Sequence, residues 1–290
     1  MVSPLIPQFV EIGWRGRPVR IEHAWIAPDR PDRRSQPLMV FLHEGLGSMA
    51  MWKDFPQRLC GALGCRGLVY SRPGYGRSTP RAVEDAWDLD FMHRQAHEVL
   101  PALLRALHID PAHDRPWLFG HSDGGSIALL YAARFAASVA GAVVLAPHIV
   151  VEDKALASIA LARQAYLDTD LRQRLARYHD DPDSAFWGWN RIWLHPPFKQ
   201  WSIAQEIGAV TCPLLAVQGL EDEYGTLEQI HGIARRVPQT ELLEVAECGH
   251  SPHRDQGAAL IEAVARFYRA QPVGRDRIST EFRPRSAPTG

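Results

Sequence analysis

"LFGHSDGGSIALL", residues 118–130, sets a serine among glycines directly behind a short apolar run. Gly120-His121-Ser122-Asp123-Gly124 fits the pattern G-x-S-x-G. Its flanks are the more demanding part of the signal: a strand-like run before it, a helical pattern after. A sharp strand-to-helix turn forces strained backbone angles on its central residue, so the residues packed around it must be small. Gly120, Gly124 and Gly125 meet that demand. Such a turn exposes the Ser122 hydroxyl at the carboxyl edge of a sheet, over the amino terminus of the next helix. There the backbone N–H of Asp123 can face a developing oxyanion. A glycine-rich helix start with an N-capping serine is the plainer alternative. The strand on one side and the helix on the other decide for the strained turn.

Outward from this turn, strand-like runs occupy residues 9–14, 18–26, 38–42, 67–71, 116–120, 141–146, 213–219 and 241–246. From residue 38 onward most are short, almost wholly apolar and followed by a helical pattern, which reads as a parallel sheet covered on both faces. Residues 88–108 carry Leu100, Leu103, Leu104 and Leu107 at helical spacing. The predicted fold class is α/β: a mostly parallel central sheet of about eight strands flanked by helices. Residues 148–202 are far longer than a crossover needs. They read as a helical cap inserted after the sixth strand. The expected organisation is a core of residues 1–147 and 203–272, the cap, and a mobile tail at 273–290 that lacks hydrophobic periodicity.

Composition removes several classes of function. Among 290 residues, 32 basic side chains face 33 acidic ones, so no field is available to gather nucleic acid or an acidic lipid surface. No apolar stretch approaches the ~18 residues of a membrane helix, and the start of the sequence lacks a basic segment ahead of an apolar one. The four cysteines, Cys60, Cys65, Cys212 and Cys248, have neither CxxC spacing nor the density of a disulfide framework. The expectation is a cytoplasmic protein with idle thiols, no metal and no cofactor, acting on a small molecule. A homodimer is compatible with this reading.

A serine hydroxyl needs a base, and the base needs a group to hold it. "ECGHSPHRD" places His250 on a loop just after the last strand, and "VQGLEDEYGT" places Asp222 just after the preceding one. Each alone reads as an ordinary loop residue. Three strand-end positions in the chain order Ser122, Asp222, His250 make the coincidence that counts.

With those residues in place, the chain resembles the α/β-hydrolase superfamily over roughly residues 8–270. "GHSDGG" resembles its nucleophile elbow, "GLEDEYG" the loop of the triad acid, "CGHSPH" the loop of the triad histidine and "SRPGYGRS" the turn after its fourth strand. The resemblance implies Ser122 as nucleophile, His250 as general base and then acid, and Asp222 as the group fixing its tautomer. Glu221 and Glu223 compete for the acid role, and the family's spacing from Gly219 favours Asp222. The second oxyanion donor falls in "LHEGLGS", where the family usually has His-Gly-x and this chain has Glu44 in the glycine's place. By position, Gly45 supplies that N–H beside Asp123, with Leu46 the next candidate. The Glu44 side chain is expected to turn away, and His43 to serve as a structural hydrogen-bonder.

The implied reaction is hydrolysis of a small-molecule carboxylic ester through an acyl-enzyme. C–C bond hydrolysis, lactone opening and lyase chemistry use the same three residues, and a non-catalytic receptor keeping the fold is the alternative of another class. "HEGLGS" faintly resembles an oxyanion loop of a cyclohexadiene-carboxylate lyase. In the cap, Trp187, Trp189 and Trp193, together with Phe186 and Trp201, are candidates to line an acyl pocket beside Leu46 and His148. Cap packing is the competing role for each. Arg163, Arg191 and His148 could meet a substrate carboxylate.

Overall fold

The computed structural model describes residues 5–26, 36–82 and 85–271. The expected tail at 273–290 lies outside the described residues. One sheet of eight strands organises them, in spatial order β1-β2-β4-β3-β5-β6-β7-β8. The strands are β1 (Gln8–Trp14), β2 (Arg17–Ile26), β3 (Leu38–Leu42), β4 (Arg66–Tyr70), β5 (Trp117–His121), β6 (Gly141–Leu145), β7 (Leu214–Gly219) and β8 (Thr240–Val245). Arg15 and Gly16 close the β1–β2 hairpin, both at positive φ. β2 pairs antiparallel with β4, and every later pairing is parallel.

Period-two alternation within short apolar strands builds two cores, one on each face of the sheet. Val40, Leu42, Leu118 and Val144 face the helices Phe91–Arg94, Leu100–Ala106 and Asp123–Arg134. Met39, Phe41, Phe119, Val143 and Val217 face the helices Phe55–Leu63 and Gly257–Ala270. Every residue of β3, β5, β6 and β7 is buried. A fully buried Val, Leu or Phe contributes roughly 1.5–3 kcal/mol, so these strands hold the sheet rigid beneath whatever stands on their carboxyl ends. The stretch read as one helix over 88–108 begins at Phe91 and carries a π-helical turn, Gln95–Val99. The patterning of the leucines did not announce that turn.

Between β6 and β7 the chain leaves the sheet. It forms the helices Asp153–Asp168, Leu171–Leu175 and Pro182–Trp193. A bridge between Val150 and Ser202 and the Ile203 N–H to Ile149 C=O bond (2.9 Å) close the neck of this excursion. Phe186, Trp189 and Trp193 are all buried, at the i, i+3, i+7 spacing of one helix face.

Candidate active site

The turn after β5 explains its glycines. Ser122 sits at φ 53°, ψ −120°, a region sparsely populated by L-residues that costs on the order of 1–3 kcal/mol. A Cβ on Gly120 would strike the Gly124 carbonyl, and one on Gly124 would strike the carbonyls of Leu42 and His43. Glycine is therefore required because two backbones, the serine turn and the end of β3, run against each other. The turn is anchored by Ser122 N–H to Leu145 C=O (2.8 Å), and the Ser122 C=O accepts from Gly125 N–H (2.8 Å).

The carboxyl ends of β7 and β8 deliver the other two groups. His250 Nε2 lies 2.9 Å from Ser122 Oγ, and His250 Nδ1 lies 2.9 and 3.0 Å from the two oxygens of Asp222. Asp222 also accepts from the N–H groups of Tyr224 (2.8 Å) and Gly225 (3.1 Å) and from Gln218 Nε2 (3.2 Å). Burial alone would raise its pKa, but the His250 hydrogen bond and charge, with the Tyr224 N–H, hold it below the ordinary carboxylate value. It stays an anion. Glu223 does a different job, accepting from the His250 backbone N–H at 3.1 Å. On the other side, His121 Nε2 reaches the His250 carbonyl at 2.7 Å. The histidine loop is thus pinned from both sides, by His121 and Glu223, neither of which carries a sequence signal beyond its place next to a motif residue.

The loop after β3 turns tightly, with Gly47 N–H to Glu44 C=O at 3.0 Å. Arg72 fixes it: its Nη2 donates to the Glu44 carbonyl at 2.8 Å and its backbone N–H donates to His43 Nε2 at 3.0 Å. His43 Nδ1 in turn lies 2.7 Å from the Glu44 carbonyl. Both ring nitrogens of this buried histidine are therefore engaged in structure, and burial, reinforced by Arg72, keeps the ring neutral. The Glu44 carboxylate folds back over Gly47 toward His121, with Oε2 3.5 Å from Nδ1. Burial would raise its pKa, yet His121, followed by His43 and His253, draws it far below the ordinary range. Leu46 offers its carbonyl to His179 Nε2 at 3.1 Å.

Trp189 packs its indole directly on Gly45, where any side chain would collide with it. His148 lies between His250 and the helical excursion, its ring 5.8 Å from that of His250 and 5.0 Å from that of Trp193. Burial and the proximity of His250 lower its pKa to about 3, so it is neutral. Trp187 is not brought to the serine. Its indole lies on the other side of the helix, flanked by the Arg163 and Arg191 guanidiniums at 5.9 and 5.5 Å from the ring centre. Those two arginines stand there with it rather than beside Ser122. Phe186 stacks on Tyr166 at 3.7 Å, and Trp201 on Phe198 at 5.4 Å.

The Asp123 backbone was expected at this turn; the place of its side chain was not. Its carboxyl is 1% exposed, and neither oxygen has a hydrogen-bond partner among the described residues. The Arg72 guanidinium stops 3.9 Å away. The Trp193 indole N–H faces the same carboxyl, short of hydrogen-bond geometry. Burial raises the Asp123 pKa to about 6, against the pull of Arg72.

A strained serine turn after the fifth strand, with a histidine and a carboxylate supplied from the ends of the last two, defines the α/β-hydrolase class. Residues 39–263 match the model of the alpha/beta hydrolase family, and the chain belongs to that family; it is a hydrolase. Among curated proteins none matches the chain. Solved structures similar to it include a thermophilic esterase from Thermogutta terrifontis, 15% identical with a TM-score of 0.68, covering 91% of this chain and 98% of its own. Another is the proline iminopeptidase of Mycobacterium smegmatis, 18% identical with a TM-score of 0.69, covering 91% and 98%. A third belongs to work on carboxylesterases of the thaumarchaeon Nitrososphaera gargenis, 16% identical with a TM-score of 0.69, covering 89% and 99%. At such identities the likeness is one of fold. Among the described residues no helix is long and apolar enough to cross a membrane, and no group of three or more His, Cys, Asp or Glu could hold a metal ion.

Proposed function

We propose that the protein hydrolyses a small-molecule carboxylic ester through an acyl-enzyme on Ser122. The observation that carries this reading is the continuous hydrogen-bonded line from Ser122 Oγ through His250 to the buried Asp222, standing over a strained turn. Ser122 Oγ attacks the ester carbonyl carbon while His250 Nε2 takes the hydroxyl proton, and Asp222 stabilises the imidazolium. The carbonyl oxygen becomes an oxyanion facing the N–H groups of Gly45 and Asp123. Collapse of the tetrahedral adduct breaks the ester C–O bond, and His250 returns its proton to the departing alkoxide. Water then attacks the acyl-enzyme with His250 again as base, releasing the acid and restoring Ser122. Glu44, aimed at His121, leaves that loop free to present its backbone.

Residues 148–202 serve in this reading as a cap that sets specificity, with Trp189, Trp193, Leu46 and His148 bordering the substrate. Two of the structures similar in fold come from work on esterases, with which the choice of ester agrees. The test is reaction with a fluorophosphonate, which labels only an activated serine. Wild type should react and turn over aryl esters. Ser122→Ala should not label, and its turnover should fall by about 10⁴ to 10⁶. A wild-type chain inert to the probe would instead mark a fold that has lost its chemistry.

A further inference from the structure

Beside Ser122 lies a set of buried polar atoms that the proposed reaction does not use. Asp123 presents two acceptor oxygens without a hydrogen-bond partner, and beside them Arg72 Nε and Trp193 Nε1 are likewise buried and without one among the described residues. These groups form one neighbourhood. Arg72 approaches Asp123 to 3.9 Å and lies over the Tyr75 ring at 4.7 Å. A Cβ on Gly45 would stand 3.3 Å from Asp123 Oδ2. Buried polar groups in folded proteins are almost always satisfied, by protein, water or ligand. So many around one nucleophile mark a place built to receive a polar group.

The chemistry of that group follows from what surrounds it. It must donate to a carboxylate and accept from a guanidinium or an indole. A carboxylate would be repelled by Asp123 and an ammonium by Arg72. A hydroxyl, with one donor and two acceptor lone pairs, satisfies both sides. Position follows as well. Asp123 Oδ2 stands beside Gly45, on the side of the oxyanion donors, whereas the leaving oxygen must face His250. A group bonded to Asp123 is therefore carried on the acyl part, within a few bonds of the carbonyl, because the carboxyl belongs to the residue whose own N–H faces the oxyanion.

We propose that Asp123, with Trp193 and Arg72, forms a subsite for a hydroxyl on the acyl group, so that the substrates are esters of short hydroxy acids. This rests on the ester-hydrolase reading above. Its test compares p-nitrophenyl lactate and hydracrylate with p-nitrophenyl propanoate, each kcat/KM divided by the ester's own rate of hydroxide hydrolysis. Sites that hydrogen-bond a substrate hydroxyl reject the analogue lacking it by up to 10⁴–10⁵. On that scale the wild type should favour one hydroxy ester by about 100-fold or more. Asp123→Leu should bring the ratio within about threefold, and Trp193→Phe should lower it about tenfold, on the same ground that an unpaired partner is what discriminates. Fluorophosphonate labelling and Tm establish that each variant is folded with its serine intact. Should Asp123→Leu not fold, Asp123→Asn replaces it, with a loss of about tenfold expected. Equal wild-type rates would mean that water alone occupies these groups and would overturn the proposal. So would an unchanged preference in the Asp123 variants, or a preference for glycol monopropanoate over propyl propanoate, which puts the hydroxyl on the alcohol side. A wild type that neither labels nor cleaves any ester would instead remove the ester-hydrolase reading, and this subsite with it.

Discussion

Replacing Asp123 by Asn removes a charge from one of the most enclosed places in the molecule while keeping the shape of the side chain. A carboxyl moved from 3.8 to about 6 by burial is disfavoured in its ionised form by about 3 kcal/mol, at roughly 1.4 kcal/mol per pKa unit. Because the folded-state value is the higher one, the folded chain binds this proton more tightly than the unfolded chain does. The resulting stability is complete below the unfolded value near 3.8 and is lost as pH rises through about 6. Asn carries no proton to lose. Asp123→Asn should therefore be more stable than wild type by about 3 kcal/mol near pH 8, and by about 1 kcal/mol near pH 4.5. In thermal melts the alkaline difference corresponds to roughly 5–6 °C in Tm for a domain of this size. The assay is a pair of melts for each protein at the two pH values. The histidines and other titrating groups are common to both proteins and drop out of the difference between differences. A variant less stable than wild type near pH 8 would show that Arg72, despite standing 3.9 Å away, holds Asp123 in a productive ion pair. The reasoning from burial would then be wrong.

Three further expectations concern the proposed chemistry. Asp222→Asn should lower kcat by about 10⁴ through loss of the correct imidazole tautomer, whereas Glu223→Gln, which alters only a contact to the His250 backbone, should cost less than about tenfold; the kcat values of both variants on one aryl ester decide, and a reversal would move the triad acid by one residue. Glu44→Gln should change kcat by less than about tenfold, because loss of a true oxyanion donor costs roughly 10² to 10³; a loss of the larger size would show that the carboxyl acts on the substrate. Trp187→Ala, on the arginine-flanked side of its helix, should leave the ranking of a panel of acyl esters as it is, while Trp189→Phe, beside Gly45, should reorder it through KM.

The inner strands were legible as short, almost wholly apolar runs, the outer ones by strand-like runs of mixed polarity, and each observed strand begins and ends within a residue of its predicted span. The positions of Ser122, Asp222 and His250 were legible for a related reason: each follows directly on such a run, and the topology brings strand ends together. Tertiary contact was not legible. Nothing in "GHSDGG" tells that Asp123 is enclosed by Arg72 and Trp193, since those residues lie far apart in sequence and meet only once the segment between β6 and β7 has folded. The tryptophans of that segment were grouped by density rather than by phase. Counting from the helix start at Pro182 would have set Phe186, Trp189 and Trp193 on one face and Trp187 off it. His121 and Glu223 act through the His250 backbone, a role with no residue signature at all.

The strand that supplies the histidine is also the least protected of the eight. Among the described residues β8 pairs only with β7, and none of its six residues is fully buried, whereas Ser122 rises from the wholly buried β5. Edge elements with little covering open locally at a fraction of the global unfolding free energy. Excursions of this edge would carry His250 away from a serine turn that stays fully formed, giving a reversibly silent protein with an intact core. Amide hydrogens of Leu242–Val245 should then exchange by a lower-energy opening than those of Trp117–His121, and mild denaturant should abolish labelling of Ser122 before tryptophan fluorescence reports any loss of the core. The concentration of urea separating the two transitions measures how independently the edge breathes.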